Sequence, residues 1–163
     1  MPAGGSGSKR KDVHERALGL LAVRARSRRE LERRLLQAGF DRDEEVDPEL
    51  QRLERVGLID DEAFAQAVAE QAFGPRREGR RAVAARLFAA GVSSETAEAV
   101  LDAGGAGEEA RAFDLASQRV TRLAGLPREK AFQRLSGLLM RRGYAPDVAR
   151  GAALRALDLQ VDA

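Results

Sequence analysis

Few residues in this chain have side chains suited to chemistry at a reacting atom. His14 is the single histidine, with Asp12 and Glu15 beside it, and there is no cysteine. A zinc site draws on three or four histidine, cysteine or acidic ligands, so a lone histidine reads as a surface residue rather than a ligand or a base. Asp60-Asp61 could hold a metal or pass a proton. The same pair opens a helical pattern, with Asp60 as N-cap and Asp61 and Glu62 in the first turn against the positive end of the helix dipole, and capping accounts for both without chemistry. GGSGSK at 4–9 has neither the spacing nor the preceding strand of a phosphate-binding loop. No nucleophile is placed beside a base. These residues point to a binding protein and not an enzyme, with no metal and no cofactor.

Arginine is the abundant functional group, and it arrives in blocks. Six arginines against two glutamates give +4 over 24–34, and ten acids against three arginines give −7 over 41–62. The sign alternates again, with +4 over 74–88, −5 over 93–109 and +7 over 111–155. The planar guanidinium fork suits carboxylate and phosphate, which lysine matches less well. Two partners fit such a pattern. One is nucleic-acid phosphate, bound with a steep salt dependence, although few aromatics are available to stack on bases and the acidic blocks repel a polyanion. The other is a protein whose own charge alternates.

These arginines are positioned by a repeat. Gly39, Gly91 and Gly143 stand 52 residues apart, within LLQAGF, LFAAGV and LMRRGY. Leu31, Val83 and Leu135 keep the same period, as do Leu35, Leu87 and Leu139, and Phe40, Val92 and Tyr144. Each hexamer reads as a helix end, with glycine at C′ in the left-handed conformation and the leucine four residues before it clasping the apolar residue just after it. Ser27 opens SRRE as a capping box with Glu30. Asp47-Pro48 reads as N-cap and N1 of a further helix. DAGGAGE at 102–108 reads as a loop. Helices are then expected at 12–25, 27–38, 48–57, 60–73, 79–90, 94–102, 108–123, 128–142 and 146–158.

The expected fold is all-α, with about nine helices in three tandem three-helix repeats at 12–58, 59–103 and 104–158. A basic tail, 1–11, precedes them and a short tail, 159–163, follows. Three short helices bury little alone, so stacking the repeats into an elongated curved rod would bury a shared seam. No apolar run approaches the ~18 residues of a membrane span, and MPAGGSGSKRK has no signal-peptide core. The absence of cysteine suits a reducing cytoplasm, and a monomer is expected. Arg24, Arg76 and Arg128 recur once per repeat, and a repeated ligand suits a partner that also repeats, because the contacts add by avidity. The candidate contact set is Arg24, Arg28, Arg29, Arg76, Arg80, Arg81, Arg128, Arg141 and Arg142. Gly39, Gly91, Gly143, Asp60 and Ser27 have structural roles.

Four stretches carry a family resemblance. ALGLLAVRARSRRELERRLLQAGF (17–40) resembles the opening helix pair of the RecX family of bacterial recombination regulators. LERVGLIDDEAFAQAVAE (53–70) is similar to that family's most recognisable stretch, through Leu58, Asp60, Asp61 and Phe64. GRRAVAARLFAAGV (79–92) and LLMRRGYAPDVARGAAL (138–154) resemble its second and third repeats. The resemblance covers about residues 13 to 158. It implies three tandem three-helix repeats in a curved rod and a partner, RecA, the recombinase that polymerises on single-stranded DNA. Family members are similar in lying in the groove of the RecA filament. There they lower ATP hydrolysis, co-protease activity and strand exchange in recombination and the SOS response. Weak direct binding to single- or double-stranded DNA is compatible with this. The alternative is a stand-alone helical-repeat protein that binds DNA.

Overall fold

The structure, a computed structural model, describes residues 12–161. The expected tail 1–11 lies outside them. All regular structure among the described residues is helical, in nine α-helices, one π turn and one 3-10 turn. The chain divides into two compact units, 1–61 and 62–163.

The first unit holds α1 (Val13–Val23), α2 (Arg28–Gln37) and α3 (Asp47–Arg55). Ala17, Leu31, Leu35, Phe40, Val46, Leu50, Leu53 and Ile59 form its core. Ser27 caps α2 as expected, its Oγ accepting from the Glu30 amide at 3.1 Å. The start of α3 differs from expectation. Asp47 is already helical and makes no side-chain cap. The helical path begins five residues earlier, as a π turn over Arg42–Val46. Its cap is Asp41, whose carboxylate accepts from the Glu44 amide at 2.8 Å while Glu45 accepts from the Asp41 amide at 2.7 Å. Pro48 supplies no N–H to the ladder, and the turn before it is wound wide, with the Val46 amide reaching back to the Asp41 carbonyl at 2.9 Å. Ser93, one repeat later, caps in the same way, accepting from the Thr96 amide at 3.2 Å.

The second unit contains α5 (Arg80–Ala89), α6 (Ser94–Gly105), α7 (Glu108–Val120), α8 (Arg128–Arg141) and α9 (Pro146–Val161), preceded by α4 (Asp61–Phe73), which begins at the unit boundary. Asp60 lies just before α4. Two cores fill this unit. Ala65, Ala69, Phe73, Val83, Leu87 and Leu101 belong to one; Leu115, Leu135, Leu139, Tyr144, Ala153 and Leu157 belong to the other. Two boundaries move. Most of the expected loop 102–108 is helical, because α6 continues to Gly105. Helix propensity opposes glycine there, but a Cβ on Gly104 would stand 2.3 Å from the Phe73 ring, so only glycine lets α6 approach Phe73 so closely. The expected tail at 159–163 is helical as far as Val161.

All three clasps form. Gly39, Gly91 and Gly143 have φ of 86, 72 and 92°. The next residue's amide bonds back to the leucine carbonyl in each: Phe40 to Leu35 at 3.3 Å, Val92 to Leu87 at 3.1 Å and Tyr144 to Leu139 at 3.2 Å. These are the six-to-one bonds of a Schellman cap, and the paired side chains are buried in every case.

Candidate partner-binding surface

Five of the nine candidate arginines are engaged within the chain. In the first unit, the guanidinium of Arg24 meets the Glu30 carboxylate, with Nη1 to Oε2 at 3.0 Å, and also donates to the Ala25 carbonyl at 2.9 Å. Arg26, absent from the candidate set, meets the same carboxylate and donates to the Leu20 carbonyl at 3.1 Å. Arg26 and Glu30 are each only 7% exposed. Burial opposes the charge on Glu30, but the bonds from Arg24 and Arg26 outweigh it and hold the carboxyl below its usual pKa. Arg28 pairs with Glu54 at 3.0 Å. Arg29 is exposed with no ion pair among the described residues.

His14 is half-buried rather than on the open surface. Its Nδ1 lies 2.6 Å from Oε1 of the buried Glu49. Glu49 sits one repeat before Leu101 and two before Ala153, both core residues. A carboxylate at a core position needs a hydrogen-bonding partner, and that need gives the histidine its role. Asp61 also reaches further than expected. Its carboxylate accepts from the Arg28 amide at 2.8 Å and so caps α2 rather than only its own helix. The device recurs in the second unit, where Glu108 accepts from the Arg80 amide at 3.0 Å.

In the second unit four candidates converge where α8 ends against the start of α5. The Gly79 amide donates to the Arg142 carbonyl at 2.8 Å and the Arg81 amide to the Gly143 carbonyl at 3.0 Å. With Glu108 on the Arg80 amide, the first amides of α5 are satisfied by the C-terminal carbonyls of one helix and an acid of another. Such an arrangement aligns opposite helix-dipole ends. The approach is closest at Gly143, where a Cβ would lie 2.4 Å from the Ala82 Cβ and 2.5 Å from its nitrogen. Tyr144 is buried and donates its hydroxyl to the Arg77 carbonyl at 2.6 Å. Burial pushes its phenol above the usual pKa. Arg77 itself has φ 47°, unusual for a residue with a side chain, and is held there by Tyr144 and by Gln118, which accepts from its guanidinium at 3.3 Å.

This junction fixes the backbone beneath the arginines. Arg142 donates to the Arg76 carbonyl. Arg80 pairs with Glu98 at 2.7 Å and Asp102 at 2.9 Å. The side chains of Arg76 and Arg81 are exposed and have no ion pair among the described residues. Elsewhere in the unit, Arg128 pairs with Asp158. It is the first residue of α8, which starts a full turn earlier in the repeat than α2 and α5, so Arg24, Arg76 and Arg128 share a period but not a local setting. Arg141 is exposed at the end of α8. Among the described residues, no three acids or histidines cluster to hold a metal ion, and no helix is long and apolar enough to cross a membrane.

An all-helical chain in which one glycine-ended helix clasp recurs every 52 residues is a helical-repeat protein. Residues 14–53 match the model of the first three-helix domain of RecX, and residues 60–101 match that of the second. The chain is 37% identical over 153 residues to the regulatory protein RecX of Thermobifida fusca, covering 91% of this chain and 82% of that one. It is 40% identical over 137 residues to the regulatory protein RecX of Mycolicibacterium smegmatis, covering 81% and 72%. The crystal structure of RecX from Lactobacillus salivarius superposes with a TM-score of 0.76 at 19% identity, over 90% of this chain and 95% of that one. The chain belongs to the RecX family of regulatory proteins.

Proposed function

We propose that this protein is a non-enzymatic regulator that binds RecA and lies in the groove of the RecA filament on single-stranded DNA. There it lowers ATP hydrolysis, co-protease activity and strand exchange. Membership of the RecX family supports the partner. The observation that carries the mechanism is the 52-residue recurrence of one clasp, Gly39, Gly91 and Gly143, with the same backbone geometry each time. A ligand built on a repeat can meet equivalent spots on successive subunits of a polymer, and bridging neighbours biases their conformation without any catalytic group. In this reading 12–58, 59–103 and 104–158 are successive contact modules. Arg29, Arg76, Arg81 and Arg141 are the readiest contacts, since no acid among the described residues pairs with them. The site is in the cytoplasm, where the filament forms.

The test is RecA ATPase on single-stranded DNA, titrated with the wild type and with an Arg76→Glu/Arg81→Glu variant. The expected result is inhibition by the wild type and about tenfold weaker inhibition by the variant, as for loss of two interfacial charges. Unchanged inhibition removes the charge contact. Tight binding of single-stranded or duplex DNA at physiological salt without RecA would favour the stand-alone DNA-binding reading.

A further inference from the structure

In the second unit, α7 and α8 and the turn at Thr121–Leu123 enclose a groove of about 470 Å³. It is lined by Arg119, Arg122, Arg134 and Arg141 together with Leu123, Leu135, Leu138 and Gln133; Leu135 is buried while Arg122, Arg134 and Arg141 are exposed. No acid lines it. None of the four arginines has an ion pair among the described residues, whereas Arg24, Arg26, Arg28, Arg42, Arg80, Arg86 and Arg128 all do. Four like charges around these leucines repel one another. Arg29, Arg76 and Arg81 are also without an ion pair among the described residues, but the groove brings four such arginines together over leucine side chains.

We propose that this groove docks an acidic segment of a protein partner that carries a leucine-like side chain. Guanidinium forks bind carboxylates in a two-point geometry, and the leucines take one aliphatic side chain from water. The lining has no aromatic on which a base could stack, so the chemistry favours peptide over single-stranded nucleic acid. The proposal rests on the regulator reading for the source of the segment, while the groove's own chemistry stands apart from it. The mode is that of an anchor residue in a pocket with a charged rim.

The experiment is a fluorescence-anisotropy titration of the full chain against a short fluorescein-labelled peptide alternating Glu and Leu. Arg122→Glu/Arg134→Glu and Arg134→Glu/Arg141→Glu serve as variants, and circular dichroism checks their fold. Saturable binding is expected, weakened about tenfold by either double reversal and also weakened when serine replaces leucine in the peptide. No binding at low salt overturns the proposal, as does binding that ignores both reversals. An oligothymidylate that displaces the peptide at lower concentration overturns it in favour of nucleic acid. Concentration-dependent self-association of the wild type, abolished by the reversals, overturns it in favour of a second copy of this chain. Failure of the wild type to sediment with RecA filaments strikes the regulator reading alone, and the peptide titration still decides the groove.

Discussion

The two units use one helical pattern and stabilise it by different means. At the heart of the first unit lie charges: Glu30 between Arg24 and Arg26, and Glu49 on His14. The corresponding positions in the second unit are Ala82 and Arg134 for Glu30, and Leu101 and Ala153 for Glu49. There the decisive contact is between backbones, with the clasp at Gly143 seated on the first turn of α5. A Cβ on Gly39 would meet nothing within 4 Å, whereas the clasp at Gly143 is seated directly on the first turn of α5. Repetition therefore fixes where helices stop, while what each stop touches is free to diverge.

The largest effect is expected from breaking the buried ion pair. Arg26→Ala leaves the Glu30 carboxylate buried with only the half-exposed Arg24, and removing one partner of such a pair costs about 3 kcal/mol or more. Urea unfolding followed through the methyl signals of Leu31 and Leu35 should show it, with those of Leu135 and Leu139 little moved. Equal loss in both sets would deny that the pair belongs to the first unit alone.

Next comes the pair Gly143→Ala and Gly39→Ala. Both force a side chain onto a left-handed residue, a change costing about 1 kcal/mol. A Cβ on Gly39 meets nothing within 4 Å, whereas on Gly143 it strikes Ala82. Overpacking adds about 1–3 kcal/mol, so Gly143→Ala should be the more destabilising by that margin. Equal effects would mean the α5–α8 contact adjusts freely.

The parts legible in the sequence were the local ones. Leu35, Gly39 and Phe40 lie within six residues, and their clasp depends on little else. The same locality misled at Asp47-Pro48, which has the form of a helix start. The chain leaves its turn at Phe40 already able to cap at Asp41, and the earlier cap prevails. The arginine candidates were legible as charge but not as partners. Arg80 meets Glu98 and Asp102 across 18 and 22 residues, Arg128 meets Asp158 across 30, and Arg142 meets Arg76 across 66. Only folding sets such pairings. Arg26 carried a usable signal, the four-residue spacing to Glu30, but its burial did not show. The groove over α7 and α8 was invisible, since residues from two helices and the turn between them share it.

The smallest and most graded expectation is that the units fail at opposite ends of the pH scale. Glu30 has a lowered pKa when folded, so its contribution is present above the usual carboxylate range and is lost as pH falls through the folded value. Tyr144 has a raised pKa, so the folded state is favoured fully below the ordinary tyrosine value of 10.0 and loses that advantage as pH rises beyond it. Methyl signals of Leu31 and Leu35 should therefore weaken first on acidification, and those of Leu135 and Leu139 first on alkalinisation. Many carboxylates titrate in acid, so the Glu30 share is isolated by Glu30→Gln, which should flatten the acid limb for the first unit only. Tyr144→Phe should do the same to the alkaline limb of the second, at the added cost of its bond to the Arg77 carbonyl. Limbs that stay steep in both variants would place the pH sensitivity elsewhere and reduce the contrast between the units to packing alone.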